Sequence, residues 1–196
     1  MDQQFHACIT FLHEAEKLKS TLRHNWTTTG RQESVAEHTW RLMLMFFLFD
    51  HSVEFHIDSY RVMKILLIHD IAELVYGDVP AFIKTKGYKD KARKRERKAA
   101  KSLFFILPPS IRKECFSLFE EYEQGITQEA KVAKALDKLE TSLQHLEAGM
   151  THMTPEEMGD VTLEYASKSV ALLNNEKVNE FWEYLQEELR KMMRGS

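Results

Sequence analysis

Cysteine is scarce in this sequence of 196 residues, where Cys8 and Cys115 are the only two. Two cysteines so far apart argue against a disulfide framework and against a zinc site built of thiolates, and they fit a reducing compartment. Proline and glycine are also few, with four and seven residues. All-β chains need many tight turns and usually contain more of both. The composition therefore favours a helical fold.

The sequence also lacks a long apolar segment and an excess of charge. Its longest apolar run, residues 42 to 49, is far shorter than the roughly 20 residues of a membrane span, and its first residues do not resemble a signal peptide. A net charge of −3 gives the chain as a whole no attraction to nucleic acid or anionic membranes. The basic run over residues 89 to 101 can attract nucleic acid, but we interpret it as a solvated helix face because acidic residues interrupt it. We expect a cytoplasmic protein with no membrane partner and no stable nucleic-acid partner.

Apolar residues recur at intervals of three and four over most of the chain, which is the spacing of amphipathic helices. A capping box formed by Ser34 and Glu37 marks one helix start, Asp58 or Ser59 can cap another helix, and residues 154 to 157 are typical of a further start. Gly125 is expected to stop the helix that precedes it. No segment is a convincing strand, and residues 23 to 31 are expected to form a loop. The length predicts one domain. The expected helices cover residues 4 to 22, 34 to 49, 58 to 76, 89 to 107, 108 to 124, 128 to 148 and 178 to 193.

A histidine and an aspartate, His69 and Asp70, stand side by side in an otherwise apolar stretch. Burial of these groups costs several kcal/mol unless they are paired, and a divalent cation pairs with both. A structural hydrogen bond between the two is the alternative. His38 and Asp137 lie on other expected helices, so the chain offers two imidazoles and two carboxylates. This set suits one transition metal, Mn²⁺, Co²⁺, Fe²⁺, Ni²⁺ or Zn²⁺.

Two acidic residues follow this pair. Glu73 comes four residues after His69, so one helix face would carry both and the carboxylate could reach a metal-bound water. An ordinary surface glutamate is the other interpretation. Asp78 follows Gly77, where the helix is expected to end, and can line a ligand site or form a helix-terminating turn.

The order of His38, the pair His69 and Asp70, and Asp137 resembles the signature of the HD-domain superfamily of metal-dependent phosphohydrolases. The segments RQESVAEH, residues 31 to 38, and HDIAELVYGDVPAFIK, residues 69 to 84, are similar to those of the YfbR-type bacterial 5′-deoxynucleotidases and the related human HD-domain nucleotidase.

This resemblance implies an all-α HD-domain helical bundle. It would form a single domain over residues 1–196, with a metal-binding core at about 5–150 and C-terminal helices at 154–193. The activity implied is hydrolysis of nucleoside 5′-monophosphates, above all 5′-deoxynucleotides, to nucleoside and phosphate. A homodimer is implied as well.

The resemblance also implies a role for each matching residue. One divalent ion would be held by His38, His69, Asp70 and Asp137. Glu73 would manage the proton, and Arg23, fifteen residues before His38, would orient the phosphate. The nucleotide site would be lined by Arg23, His24, Trp26, Asp78, Val79, Pro80 and Ala81. In the bacterial enzymes a tryptophan directly follows the arginine, whereas here it is His24.

Two alternatives remain at this stage. HD proteins also cleave nucleoside triphosphates and signalling nucleotides, and a helical bundle can be a metal-stabilised regulatory module without turnover. The presence of Glu73 and Arg23 beside a complete ligand set favours an enzyme, because a purely structural metal needs neither.

Overall fold

The computed structural model describes residues 2–78, 86–149, 152–153 and 160–195. Helices make up most of these residues, so the predicted all-α fold class is confirmed. A 3-10 turn, Glu16–Lys19, follows the first helix. The helices are α1 (Gln3–Ala15), α2 (Val35–Val53), α3 (Ser59–Ile68), α4 (Glu73–Tyr76), α5 (Lys86–Phe104), α6 (Pro109–Gln124), α7 (Gln128–Ala148), α8 (Asp160–Glu164), α9 (Ser167–Ala171) and α10 (Glu176–Arg194).

A two-stranded antiparallel sheet lies between α1 and α2, where the sequence predicted a loop. Strand β1 (Leu22–Trp26) pairs with β2 (Gln32–Ser34), and Gly30, with a φ of 81°, lies in the turn between them. The prediction of no strand was wrong because the buried residues of β1 are polar. Arg23 and Asn25 are the residues of β1 that face inward. Because both are polar, the alternation of buried and exposed residues that marks a strand does not appear as an alternation of apolar and polar residues.

Several helix boundaries follow local hydrogen bonds that the sequence predicts. The Ser34 hydroxyl accepts from the Glu37 backbone N–H at 3.3 Å, and the Glu37 carboxylate accepts from the Ser34 N–H at 2.9 Å. Asp58 caps α3 by accepting from the Arg61 N–H. Gly125 ends α6 in the left-handed conformation. These boundaries confirm the predicted capping box, the cap at the start of α3 and the stop of α6.

One predicted helix is divided in two. The chain leaves α-helical geometry after Ile68 and passes through a turn in which the Ile71 and Glu73 N–H groups bond three residues back. The imidazole Nδ1 of His69 lies 2.8 Å from the Leu66 carbonyl oxygen. Because this side chain bonds to a carbonyl of the last turn of α3, the backbone can tighten there.

Two clusters of buried apolar side chains form the core. The larger one lies among α2, α3, α6, α7 and α10, and the smaller one joins the end of α3 to α5 and α6. Helix α7 packs against α2, α3, α6, α10 and β1. Its buried face also carries polar residues, among them Glu140, Thr141 and Gln144. The place where α7 meets α2, α3 and β1 is therefore polar inside an otherwise apolar bundle.

The last helix, expected over residues 178 to 193, is confirmed as α10. The helix start expected at residues 154 to 157 lies outside the described residues. Within the described part of the chain, no helix combines the length and apolarity that a membrane crossing requires.

Candidate metal centre

Four polar side chains predicted as metal ligands meet where α2, α3 and α7 approach one another. His38 lies in the first turns of α2, His69 and Asp70 lie in the turn after α3, and Asp137 lies in α7. Both imidazole rings are buried and their centroids are 5.7 Å apart. Three different segments of the chain thus contribute to one cluster.

The donor atoms of the four side chains face one another. His38 Nε2 lies 3.2 Å from Asp137 Oδ1 and 3.8 Å from Asp70 Oδ2. His69 Nε2 lies 3.0 Å from Asp70 Oδ2 and 4.0 Å from Asp137 Oδ1. Ligand atoms bound about 2 Å from one cation stand roughly 3 Å apart, so this spacing fits a divalent ion. Single ligand atoms of His38, His69 and Asp137 all lie within 4.8 Å of one another.

The hydrogen bonds of the two imidazoles support the same interpretation. His38 Nδ1 bonds to Glu140 Oε2 at 2.5 Å and His69 Nδ1 to the Leu66 carbonyl, and both partners can only accept, so each Nδ1 carries the proton. Each Nε2 then holds either a second proton or, in the neutral ring, a lone pair that faces a carboxylate. Neither buried Nε2 makes a well-directed hydrogen bond with any described residue. A nitrogen that faces a carboxylate in this way needs a positive charge between the two atoms, either a proton or a metal ion, so the donor set fits a metal.

The charges around the cluster favour a cation. Burial and the charge of Arg23 would lower the pKa of His38, but the carboxylates of Asp137 and Glu140 raise it to about 10. Burial would raise the pKa of Asp137, yet the close contact with the His38 imidazole and the charge of that ring hold this pKa well below the ordinary value. Burial would also raise the pKa of Asp70, but the charge of the neighbouring His69 outweighs this effect and the pKa is lowered. These carboxylates are therefore ionised at neutral pH.

Arg23 reaches the same cluster from β1. Its Nη1 lies 3.5 Å from Asp70 Oδ2, its Nε lies 3.5 Å from Glu33 Oε2, and its Nη2 donates to Thr141 Oγ1 at 3.1 Å. The side chain is only 9% exposed. A guanidinium held on three sides in this way is a fixed positive charge beside a proposed metal ligand.

Glu73 begins α4, so the expected continuous helix face that would join it to His69 does not exist. The tight turn nevertheless brings its carboxyl group to the cluster. Its Oε2 is buried and has no hydrogen-bond partner among the described residues. Burial, and then the charges of Asp70 and Asp78, raise the pKa of Glu73 well above its ordinary value. An ordinary surface glutamate would show neither property.

The expected nucleotide-contacting residues are only partly described. Asp78 Oδ2 accepts from the His24 backbone N–H at 3.0 Å, which ties the segment after Gly77 to β1. The ring of Trp26 stacks on His152, with centroids 3.9 Å apart and an interplanar angle of 13°. The predicted residues Val79, Pro80 and Ala81 lie outside the described residues.

Several site residues were not predicted from the sequence. Tyr122 of α6 donates its hydroxyl proton to Asp137 Oδ2 at 2.8 Å and packs its ring against His69, with centroids 5.1 Å apart. No sequence signal marks this tyrosine. Glu140 comes three residues after Asp137, which places both on one face of α7, so the helical spacing could have identified it.

A second cluster of ionisable side chains adjoins the candidate metal centre. Single ligand atoms of Glu33, His38 and Glu140 lie within 4.8 Å of one another. Arg23 already lies beside Glu33, and Arg41 Nε lies 3.6 Å from Glu140 Oε1. Burial and the charge of Glu140 raise the pKa of Glu33 to about 7. Because two arginines already provide positive charge here, we interpret this group as support for the first cluster and not as a second metal site.

Comparison with known proteins identifies the family. A family model described as an HD domain matches residues 15–183. This chain belongs to the HD-domain family. The HD domain is 33% identical over 138 residues to a Bos taurus protein and a Homo sapiens protein, both named 5′-deoxynucleotidase HDDC2. The aligned region covers 69% of this chain, and the chain spans 65% of the length of these two relatives.

Solved structures support the same assignment. The HD domain matches a crystal structure of a predicted metal-dependent phosphohydrolase from Magnetospirillum magnetotacticum, with a TM-score of 0.81, 30% identity and 97% of each chain covered. A conserved hypothetical protein from Pyrococcus furiosus matches with a TM-score of 0.67 and 27% identity, covering 93% of this chain and 99% of that one. The family expected from the sequence motifs is confirmed.

Proposed function

We propose that this HD domain is a divalent-metal-dependent phosphohydrolase that cleaves nucleoside 5′-monophosphates, above all 5′-deoxynucleotides, to nucleoside and phosphate. The observation that carries the proposal is the pair of buried Nε2 atoms, on His38 and His69, directed at the carboxylates of Asp70 and Asp137. The names of the bovine and human relatives support the substrate class.

The proposed cofactor is one transition metal ion, Mn²⁺, Co²⁺, Fe²⁺, Ni²⁺ or Zn²⁺, held by His38, His69, Asp70 and Asp137. Nitrogen and oxygen donors without thiolate suit these ions. When bound, such an ion supplies an acidified water near neutral pH and a positive contact for a phosphoryl oxygen.

The chain's own residues complete the reaction. Glu73 is proposed to accept the proton of the attacking water, because its buried Oε2 has no other described partner. Arg23 is proposed to stabilise the negative charge of the phosphoryl group as the bond to the leaving oxygen breaks. Its contacts with Glu33 and Thr141 hold the guanidinium in place before substrate binds.

The remaining proposed contacts concern the nucleoside. Asp78 is assigned to the sugar side, and its hydrogen bond to the His24 backbone supports a fixed position for that carboxylate. His24 and Trp26, together with residues 79 to 81, are assigned to the same side of the site on the basis of the family motif.

The test is phosphate release by the purified protein. With Mn²⁺ or Co²⁺ it should hydrolyse dAMP, dGMP or TMP, and removal of the metal with EDTA should abolish this activity. Release that is unaffected by chelation would contradict a metal-dependent mechanism.

A substrate panel decides between the alternatives. If dNTPs or the signalling nucleotide ppGpp were cleaved faster than the deoxynucleoside monophosphates, the protein would be a different HD phosphohydrolase. A protein that binds metal but turns over no substrate in the panel would be the regulatory module.

We also propose that residues 1–196 form one HD domain that is cytoplasmic and assembles as a homodimer. Support for the dimer comes from α2, where Trp40, Leu44, Phe47 and Leu48 are exposed although they are large and apolar. Their spacing of four, three and one residues places them on one side of the helix. A second copy of the chain would remove this surface from water.

A further inference from the structure

Glu140 is the most deeply buried acidic residue beside the candidate metal centre. Its side chain is fully buried in α7, and Oε2 lies 2.5 Å from His38 Nδ1 across 102 residues of sequence. The same helix carries Asp137, whose Oδ1 lies 3.2 Å from His38 Nε2. Helix α7 thus contacts both nitrogens of one imidazole with two carboxylates.

A carboxylate on Nδ1 affects what the other nitrogen can do. It keeps a proton on Nδ1, so that Nε2 is the nitrogen that can present a lone pair to a cation, and it restricts rotation of the ring. Its negative charge also makes the imidazole a stronger donor to a cation. His69 has the weaker version of this contact, since its Nδ1 bonds to the neutral Leu66 carbonyl. The two histidines are therefore supported differently.

We propose that Glu140 is a positioning residue of the metal centre, which fixes the tautomer and orientation of His38 and strengthens the binding of a divalent ion through Nε2. This inference rests on the proposed metal centre and adds a residue that does not touch the ion or the substrate.

Glu140 has a second neighbour that offers a different explanation. Arg41 Nε lies 3.6 Å from Glu140 Oε1, so the glutamate could serve only to hold this arginine. Arg41 has other partners, however: its Nη1 lies 2.8 Å from Glu147 Oε2, and it also bonds to Gln144. Glu147 lies two helical turns after Glu140 on α7 and is the matched control, because it contacts Arg41 without being the partner of His38.

The experiment measures metal affinity in the full-length protein. Metal-free wild type, Glu140→Gln and Glu147→Gln are titrated with Zn²⁺ and with Mn²⁺ in competition with a chelating dye. Glutamine keeps the shape of the side chain and removes its charge. We expect the dissociation constant to rise about 10- to 100-fold in Glu140→Gln and to stay within about twofold of wild type in Glu147→Gln, which removes only a contact of Arg41.

A second measurement uses the wild-type protein alone and does not depend on the folding of a variant. In ¹⁵N-labelled protein loaded with Zn²⁺, imidazole NMR should show that His38 binds through Nε2 and retains a strongly hydrogen-bonded proton on Nδ1. Binding of the metal through Nδ1 would overturn the proposal.

The outcomes separate this proposal from the one on which it rests. If wild type binds the ions and Glu140→Gln binds them equally well, Glu140 has no positioning role and the metal centre stands. If wild type binds no divalent ion at this cluster, the metal centre fails and the role of Glu140 fails with it.

Discussion

Three carboxylates surround the buried imidazole of His38. Asp70 and Asp137 face its Nε2, and Glu140 contacts its Nδ1. Carboxylates crowded in a buried site repel one another and lose their hydration, which is costly unless positive charge compensates. Arg23 supplies one such charge beside Asp70. A divalent cation among the remaining donor atoms would supply the rest.

Glu73 allows proton transfer to be tested separately from metal binding. Glu73→Gln keeps the size of the side chain but cannot accept a proton. We expect the rate of phosphate release to fall about 10²- to 10⁴-fold, while the affinity for Mn²⁺ stays close to wild type because Glu73 is not among the proposed ligands. Steady-state phosphate release and a metal titration of the same preparation give the two values.

A glutamate on the exposed face of α10 serves as the control. Glu187→Gln removes a carboxylate that pairs with Lys191 on the surface, and it should leave both values unchanged. If Glu73→Gln released phosphate at the wild-type rate, the role of Glu73 as proton acceptor would be wrong.

At the scale of elements, the site depends on where three segments begin or end. Helix α2 starts at Ser34, so His38 lies in its first turns, and α3 stops before His69. Strand β1 alternates so that Arg23 faces inward. A continuous helix through residues 59 to 76 would give His69, Asp70 and Glu73 a different relative geometry. The interruption of that helix therefore helps to assemble the cluster.

The capping box of α2 can be tested by Ser34→Ala. This change removes the hydroxyl that accepts from the Glu37 N–H and should lower the free energy of unfolding by about 1 kcal/mol, as other cap replacements do. Urea unfolding in EDTA measures the loss without a contribution from bound metal.

Ser52→Ala on the same helix is the comparison. The Ser52 hydroxyl donates to the Leu48 carbonyl one turn back and is exposed. Alanine at that position should change the free energy of unfolding by less than about 0.5 kcal/mol. Equal effects of the two substitutions would show that the capping box does not hold the start of α2.

At the scale of the whole molecule, the exposed side of α2 differs from an ordinary polar surface. Trp40, Leu44, Phe47 and Leu48 are 66%, 42%, 54% and 54% exposed. Their combined exposed area is on the order of 400 Å², since each large aromatic side chain alone offers 150–250 Å². Apolar patches of this size are often functional, and a second copy of the chain would cover this one.

Trp40→Glu tests the proposed homodimer. A charge within the patch should be tolerated in the monomer but should cost several kcal/mol if a second copy buries it. We expect light scattering after size-exclusion chromatography to give twice the chain mass for wild type and the chain mass for Trp40→Glu. Ile126→Glu, in the exposed connection between α6 and α7, should remain dimeric. A wild-type monomer at micromolar concentration would refute the dimer.

Much of the architecture is determined by interactions that the sequence displays directly. Caps, helix stops and apolar spacing involve residues within about one or two turns of each other. The helix starts expected at Ser34 and Asp58 and the helix stop expected at Gly125 were therefore predicted correctly. The family motif also predicted which four side chains would meet, although no local rule explains why residues as distant as His38 and Asp137 come together.

Only the tertiary structure decided the rest. Arg23 and Asn25 alternate in a strand whose buried side is polar, so no apolar pattern marks β1, and its formation depends on packing against α7. Tyr122 and Glu140 contact Asp137 and His38 because three helices cross at one point. The sequence by itself determined the helices and the identity of the proposed ligands, since these follow from short-range geometry and from the motif. The groups that hold those ligands in place were decided by contacts between distant segments, which exist only once the core has packed.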